Sequence, residues 1–177
     1  MTANRDIDAP INTLMVNYVA VLAAIPFVAT LIGDLWYYRF FGFGGFAIVA
    51  AIITYILDIA AVFVVGYIVY RLAPNFGTSV TQVRSTRLVA YAFTPFFLLS
   101  IFDIIPFASV IAVLGILYGL YILYLGFPIL TTVPKDKALT YVIVTAVATL
   151  VVYAIISIII EAVTVAMFLG RFGLAFA

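Results

Sequence analysis

The sequence predicts an all-α fold, a bundle of five transmembrane helices with almost nothing outside the bilayer. Two observations carry this. Hydrophobic residues make up 68% of the 177-residue chain and charged residues 8%, against roughly 25% charged in a soluble domain. A soluble core of this size could not hide so much apolar surface, so the solvent is lipid. The few charges and turn residues also cut the sequence into five long apolar stretches.

The elements follow in order. Residues 1–10 form a short tail, and residues 11–177 read as a single transmembrane domain without repeats. Arg5 in the tail is offset by Asp6 and Asp8. The stretch from Leu14 to Gly33 exceeds the ~7–15 apolar residues of a signal peptide, so it is read as a retained span. Span one covers 11–33, with Asp8 as a cap, Pro10 in the first turn and Pro26 as a kink. Trp36, Tyr37, Tyr38, Phe40 and Phe41 suit an interfacial belt, and Gly42, Gly44 and Gly45 a turn. Span two is 46–70. A polar stretch, RLAPNFGTSVTQVRSTR, makes the longest connection. Span three, 88–102, is short for a membrane helix, so it starts there or earlier, in the polar stretch; Thr94-Pro95 bends it, and Asp103 to Pro106 form a tight turn. Span four is 107–130. Pro134 opens the last helix and Asp136 suits its first turn. Span five, 138–169, is longer than a bilayer needs, so it tilts or protrudes.

Several functions are excluded at once. A net charge of +1 without a basic run argues against nucleic acid as a partner. The chain has no Cys and no His, which removes thiolate and imidazole metal sites, disulfides and His-based triads. No cofactor, metal or catalytic residue is expected, and the chain reads as non-enzymatic.

Asp58 is the most informative single residue. It lies about 12 residues, or ~18 Å, from either end of span two. A carboxylate there costs at least ~2.5 kcal/mol, and no Lys or Arg lies in a span at similar depth. It must be protonated, bonded to hydroxyls or facing a wet cavity. Thr54 and Tyr55 are each about one turn away, so the three form a candidate proton or ion site, or a polar clasp between helices. Glu161 sits about 23 residues, or ~35 Å, along span five, near the opposite interface and too far from Asp58 to pair with it.

Two further groups stand out. In span four Ala108, Ala112, Gly115, Gly119 and Gly126 lie within an arc of roughly 60°. Such a small-residue stripe lets another backbone approach, within the bundle or in a homo-oligomer. Tyr118, Tyr121 and Tyr124 occupy another part of the same helix. Arg71, Arg84, Arg87, Lys135 and Lys137 fall in loops on one side of the membrane. At roughly 1 kcal/mol each they could hold lipid head groups, or serve only to set topology.

A family pattern begins at Tyr91. Three pieces carry it: Tyr91-x-x-Thr94-Pro95, the run Tyr121-Ile122-Leu123-Tyr124-Leu125-Gly126-x-Pro128, and the loop Pro134-Lys135-Asp136-Lys137-Ala138. Their order and spacing resemble the Yip family of five-span membrane proteins, and its bacterial and archaeal branch most closely. The resemblance implies five spans and a cytoplasmic N-terminus. Eukaryotic members are associated with Rab-type small GTPases and vesicle traffic, but their DLYGP-type motif is absent here. The matched residues are conformational, so no catalytic or binding role is carried over.

Two functional readings follow. The leading one is a membrane scaffold or adaptor in membrane organisation, with lipids and other copies of the chain as partners. The other is a small transporter or channel using Asp58. Orientation is read from the basic residues. With the N-terminus in the cytoplasm of a cell-membrane protein, Arg5, Arg71, Arg84, Arg87, Lys135 and Lys137 fall inside, and Arg39 and Arg171 outside. Six against two is a positive-inside bias, predicting N-in and C-out. A single cysteine replacing Ser79 should then react with an impermeant thiol reagent only after the membrane is opened. Labelling in intact cells would reverse the topology.

Overall fold

The computed structural model describes residues 10–39, 44–105, 108, 110–131 and 133–175. The described residues are helical except in the short connections, with no strand among them. Six helices appear: α1 (Ile11–Leu14), α2 (Ala20–Arg39), α3 (Gly44–Leu72), α4 (Gln82–Leu99), α5 (Val110–Leu130) and α6 (Lys135–Ala175). A π-helical turn, Met15–Val19, joins α1 to α2. Five segments are long and apolar enough to span a bilayer: Ile11–Trp36, Ala47–Phe76, Gln82–Ile104, Val110–Leu130 and Asp136–Met167. Asp8, Phe40, Phe41, Gly42, Pro106 and Phe107 lie outside the described residues, as do the side chains of Tyr37 and Tyr38.

The local chemistry explains several boundaries that differ from expectation. Pro10 caps α1 with an extended backbone. Pro26 sits inside α2, and the irregularity of this span is the π-helical turn before it. Gly44 and Gly45 open α3 instead of forming a turn. Span three takes the earlier of its two possible starts, at Gln82 in the polar stretch rather than at residue 88. Thr81 is the reason: its Oγ1 accepts from the Arg84 amide at 3.4 Å, a side-chain N-cap that starts the helix in the polar stretch. The connection is shortened from its other side too. A 3-10 turn, Ala73–Phe76, continues α3 and ends at Gly77, whose φ of 72° is left-handed and suits glycine. A second 3-10 turn, Ser100–Ile104, follows α4.

Helix α4 is the hub of the bundle. It packs on α5, on α3 and on α2, and it contributes Leu88, Val89, Ala90, Phe93 and Phe97 to the core. Its seam with α5 is made by glycines. A Cβ at Gly115 would lie 2.7 Å from the Phe96 Cα and 2.7 Å from the Pro95 carbonyl oxygen. Gly119 faces the Ala92 carbonyl and Gly126 the Leu88 side chain in the same way. On the other side of α4, Gly66 of α3 admits Thr86, whose Cα would be 2.6 Å from an added Cβ. These are backbone approaches of the kind that hold membrane helices together without a hydrophobic driving force.

The last helix is different. It has 41 residues, or about 61 Å, against a hydrocarbon core of about 30 Å. Beyond Ile156 its described side chains are mostly exposed. The seam gives a test. Gly115→Ala should cost about 1–3 kcal/mol of stability, the usual penalty of overpacking, in thermal melts in detergent. Gly45→Ala, with nothing within 4 Å of the new methyl group, should be neutral or gain up to about 1 kcal/mol of helix propensity.

Candidate functional site

Asp58 lies on α3 about 21 Å from both Gly44 and Leu72, and it is 4% exposed. Its Oδ1 accepts a hydrogen bond from the Tyr153 hydroxyl of α6 at 3.3 Å. The two polar residues nearest in sequence do not serve it. The Tyr55 hydroxyl donates to the Ala20 carbonyl at 3.1 Å, tying α3 to α2, and Thr54 is only half-buried. The Tyr153 ring is held by Phe93, stacked at 5.8 Å, and by Phe96, edge-on at 6.0 Å. Sequence reasoning missed Tyr153. The signal was depth: the count that places Glu161 too far along α6 puts Tyr153 near the level of Asp58.

A cavity of about 200 Å³ adjoins this pair between α4, α5 and α6. Phe93, Phe96, Gly119, Leu123 and Leu150 are among its walls, with Tyr153 on its lining. The walls are apolar, which suits hydrocarbon and not a file of water. The carboxyl group is therefore engaged by a hydroxyl in a largely apolar interior. Glu161 is exposed on the distal part of α6. Among the described residues no group of three or more acids could hold a metal ion.

The small-residue stripe is used within the chain. Ala112, Gly115 and Gly119 are buried, and the three glycines meet α4 as described above. Ala108 is not part of it, because it precedes the helix, in the turn before Val110. Tyr118, Tyr121 and Tyr124 are exposed on the opposite side of α5.

The basic residues gather at one end of the bundle, on an ordered platform. There Tyr141 of α6 stacks between Phe76 at 4.3 Å and Phe127 at 4.2 Å. Its hydroxyl donates to the Val69 carbonyl, and Thr78 Oγ1 donates to the Thr131 carbonyl. Arg71 occupies the last turn of α3, and Lys137 reaches toward Gly77. Lys135 opens α6, and its side chain lies outside those described. Arg84 and Arg87, expected in a loop, belong to α4, since that helix starts early. Arg84 is exposed. Arg87 is 5% exposed, and its buried Nη1 has no hydrogen-bond partner among the described residues.

Five apolar spans clasped by interhelical hydrogen bonds define a multi-pass α-helical membrane protein. The motifs that resemble a family are its joints. Tyr91 meets Tyr18 edge-on at 5.4 Å. Thr94 donates to the Ala90 carbonyl at 3.0 Å and so takes the Tyr18 hydroxyl at 2.8 Å. The Pro95 carbonyl faces Gly115, Gly126 meets Leu88, and Ala138 is buried at the start of α6. The Yip1 domain model matches residues 3–172, and the chain belongs to that family. It is similar to inner membrane protein YohC of Escherichia coli strain K12, with 27% identity over 137 residues, 71% of this chain and 69% of the relative. The same protein from Escherichia coli O6:H1 matches to the same extent, at 27% identity over 137 residues. No solved structure matches the chain.

The Asp58–Tyr153 contact predicts energetic coupling. Tyr153→Phe leaves a buried acceptor unmet, while Asp58→Asn keeps an acceptor oxygen, so the first should destabilise more. A double-mutant cycle of Tyr153→Phe with Asp58→Ala, which removes the acceptor, should give on the order of 1 kcal/mol. Additive losses in unfolding titrations would mean that the two side chains do not interact.

Proposed function

We propose that this protein is a non-enzymatic scaffold of the cytoplasmic (inner) membrane, with its N-terminus inside and its C-terminus outside. It would organise membrane by associating with copies of itself and with lipid at its basic end. One observation carries the reading. The interior polar contacts join helix to helix: Tyr18 to Thr94, Tyr55 to Ala20, Tyr141 to Val69 and Tyr153 to Asp58. Polar groups spent on clasps serve a rigid body rather than a reaction or a conduction path.

Two surfaces support association. Tyr118, Tyr121 and Tyr124 on α5 are exposed, and so are Ile158, Val165 and Leu169 on α6. No described helix of the same chain covers them. The relative named an inner membrane protein supports the location, and the grouping of basic residues supports the orientation. The test is single-molecule counting in native-like lipid nanodiscs or vesicles. The expected outcome is two or more copies per particle, falling with dilution in lipid. Strict monomers at all dilutions, together with pull-downs that yield no partner, would remove the scaffold reading.

A further inference from the structure

We propose that Arg87 forms the floor of an anion site that takes one phosphoryl group at the basic end of the bundle. This deepens the lipid-binding part of the proposed function, because it assigns that contact to a built position instead of a diffuse charge. Arg87 is 5% exposed, and its enclosed Nη1 has no acceptor among the described residues. A buried guanidinium with no counter-ion is among the costliest groups a fold can carry.

The described acids do not supply the missing charge. Gly66 opposite Thr86 sets the level of Arg87 on α3, and Asp58 lies about 10 Å deeper, bonded to Tyr153. Asp34 and Asp103 belong to the opposite end, Glu161 is on the distal part of α6, and Asp136 is exposed in the first turn of α6. Asp6 and Asp8 precede the described residues and enter the test below.

Depth and field favour a phosphoryl group. Arg87 lies about 7.5 Å along α4 from Gln82; with Asp58 central it sits about 5 Å inside the hydrocarbon boundary, a distance that a long arginine side chain can span. The helix starts near that boundary, so its dipole presents positive charge toward it. Arg71, Arg84 and Lys137 add charge at the same end. The planar guanidinium can engage two phosphoryl oxygens at once. The open polar capacity is not confined to Arg87. Thr86 Oγ1 and Thr145 Oγ1 are also buried without partners among the described residues, and Thr145, one turn beyond Tyr141 on α6, falls at a similar level.

The ligand chemistry, a phosphoryl anion, has two sources: an anionic lipid head group or free phosphate. Native mass spectrometry of the full chain, titrated with phosphatidylglycerol, phosphatidylcholine or inorganic phosphate, separates them. The expected result is one phosphatidylglycerol held in preference to phosphatidylcholine, and about tenfold weaker binding in Arg87→Gln. Arg87→Lys, which keeps the charge and loses the fork, should fall between and serves where Arg87→Gln does not fold. Arg71→Gln should change binding less. Phosphate that binds alone and displaces the lipid identifies the free anion; phosphate that does neither identifies the head group. Equal phosphatidylglycerol binding in wild type and both Arg87 variants overturns the proposal. So does an Asp6→Asn, Asp8→Asn variant that melts as low as Arg87→Gln with no further loss on combination, since Arg87 then pairs with its own chain. Copy number per particle is read separately, so loss of this site leaves the scaffold reading standing.

Discussion

The close approach of α4 and α5 is the contact on which the rest of the bundle depends. In lipid, burying a leucine gains little, because hydrocarbon surrounds it either way. What holds helices together is dispersion at short range and polar contact across the gap. Gly115, Gly119 and Gly126 let the α5 backbone settle against the Pro95–Phe96, Ala92 and Leu88 surface. With α4 held on one side, its other faces are fixed for Thr86 against Gly66 and for Thr94 against Tyr18. One glycine seam thus sets where α3 and the first span must lie.

This arrangement also decides what a sequence reading can reach. Hydropathy reports the solvent each helix meets, and in a membrane the most apolar helices are those that face lipid. α6 is the most apolar span and the least buried; α4 is the least apolar and the most buried. The stretch QVRSTR therefore reads as a loop, although Ser85, Thr86 and Arg87 are enclosed by protein. The cap at Thr81 was the local sign of the true start. The number and order of spans, the small-residue stripe of α5 and the central depth of Asp58 were all legible, because composition, spacing and counting along a helix suffice for them.

The partners of the polar residues were not legible in the same way. Tyr55 is three residues from Asp58, about 60° away around α3, yet its hydroxyl turns to the Ala20 carbonyl of α2. Tyr153 comes from the far end of the chain. Only the antiparallel register of α3 and α6 brings it near. That register is itself set by a second tyrosine, Tyr141, which fixes the basic end of α6 to the Val69 carbonyl. The basic residues show the same limit. Their clustering at one end was visible in the sequence, whereas the enclosure of Arg87 depends on which side of α4 faces the interior.

Two tyrosines thus define how α6 joins the bundle. They are about 18 Å apart along the helix, and two points fix a line: together they set its tilt against α3. Each contact is polar, so each keeps its strength in hydrocarbon, where a purely apolar helix would be free to slide. Both attachments lie in the first half of α6. In the second half, beyond Ile156, most of the described side chains are uncovered. A 41-residue helix held this way behaves as an arm on a fixed base, and its angle is inherited from Tyr141 and Tyr153. Any surface that the distal half presents to lipid or to another copy is therefore positioned by the same bond that occupies Asp58. The carboxyl group at the bilayer centre matters for orientation, through the helix it anchors, without needing to transfer a proton or hold an ion.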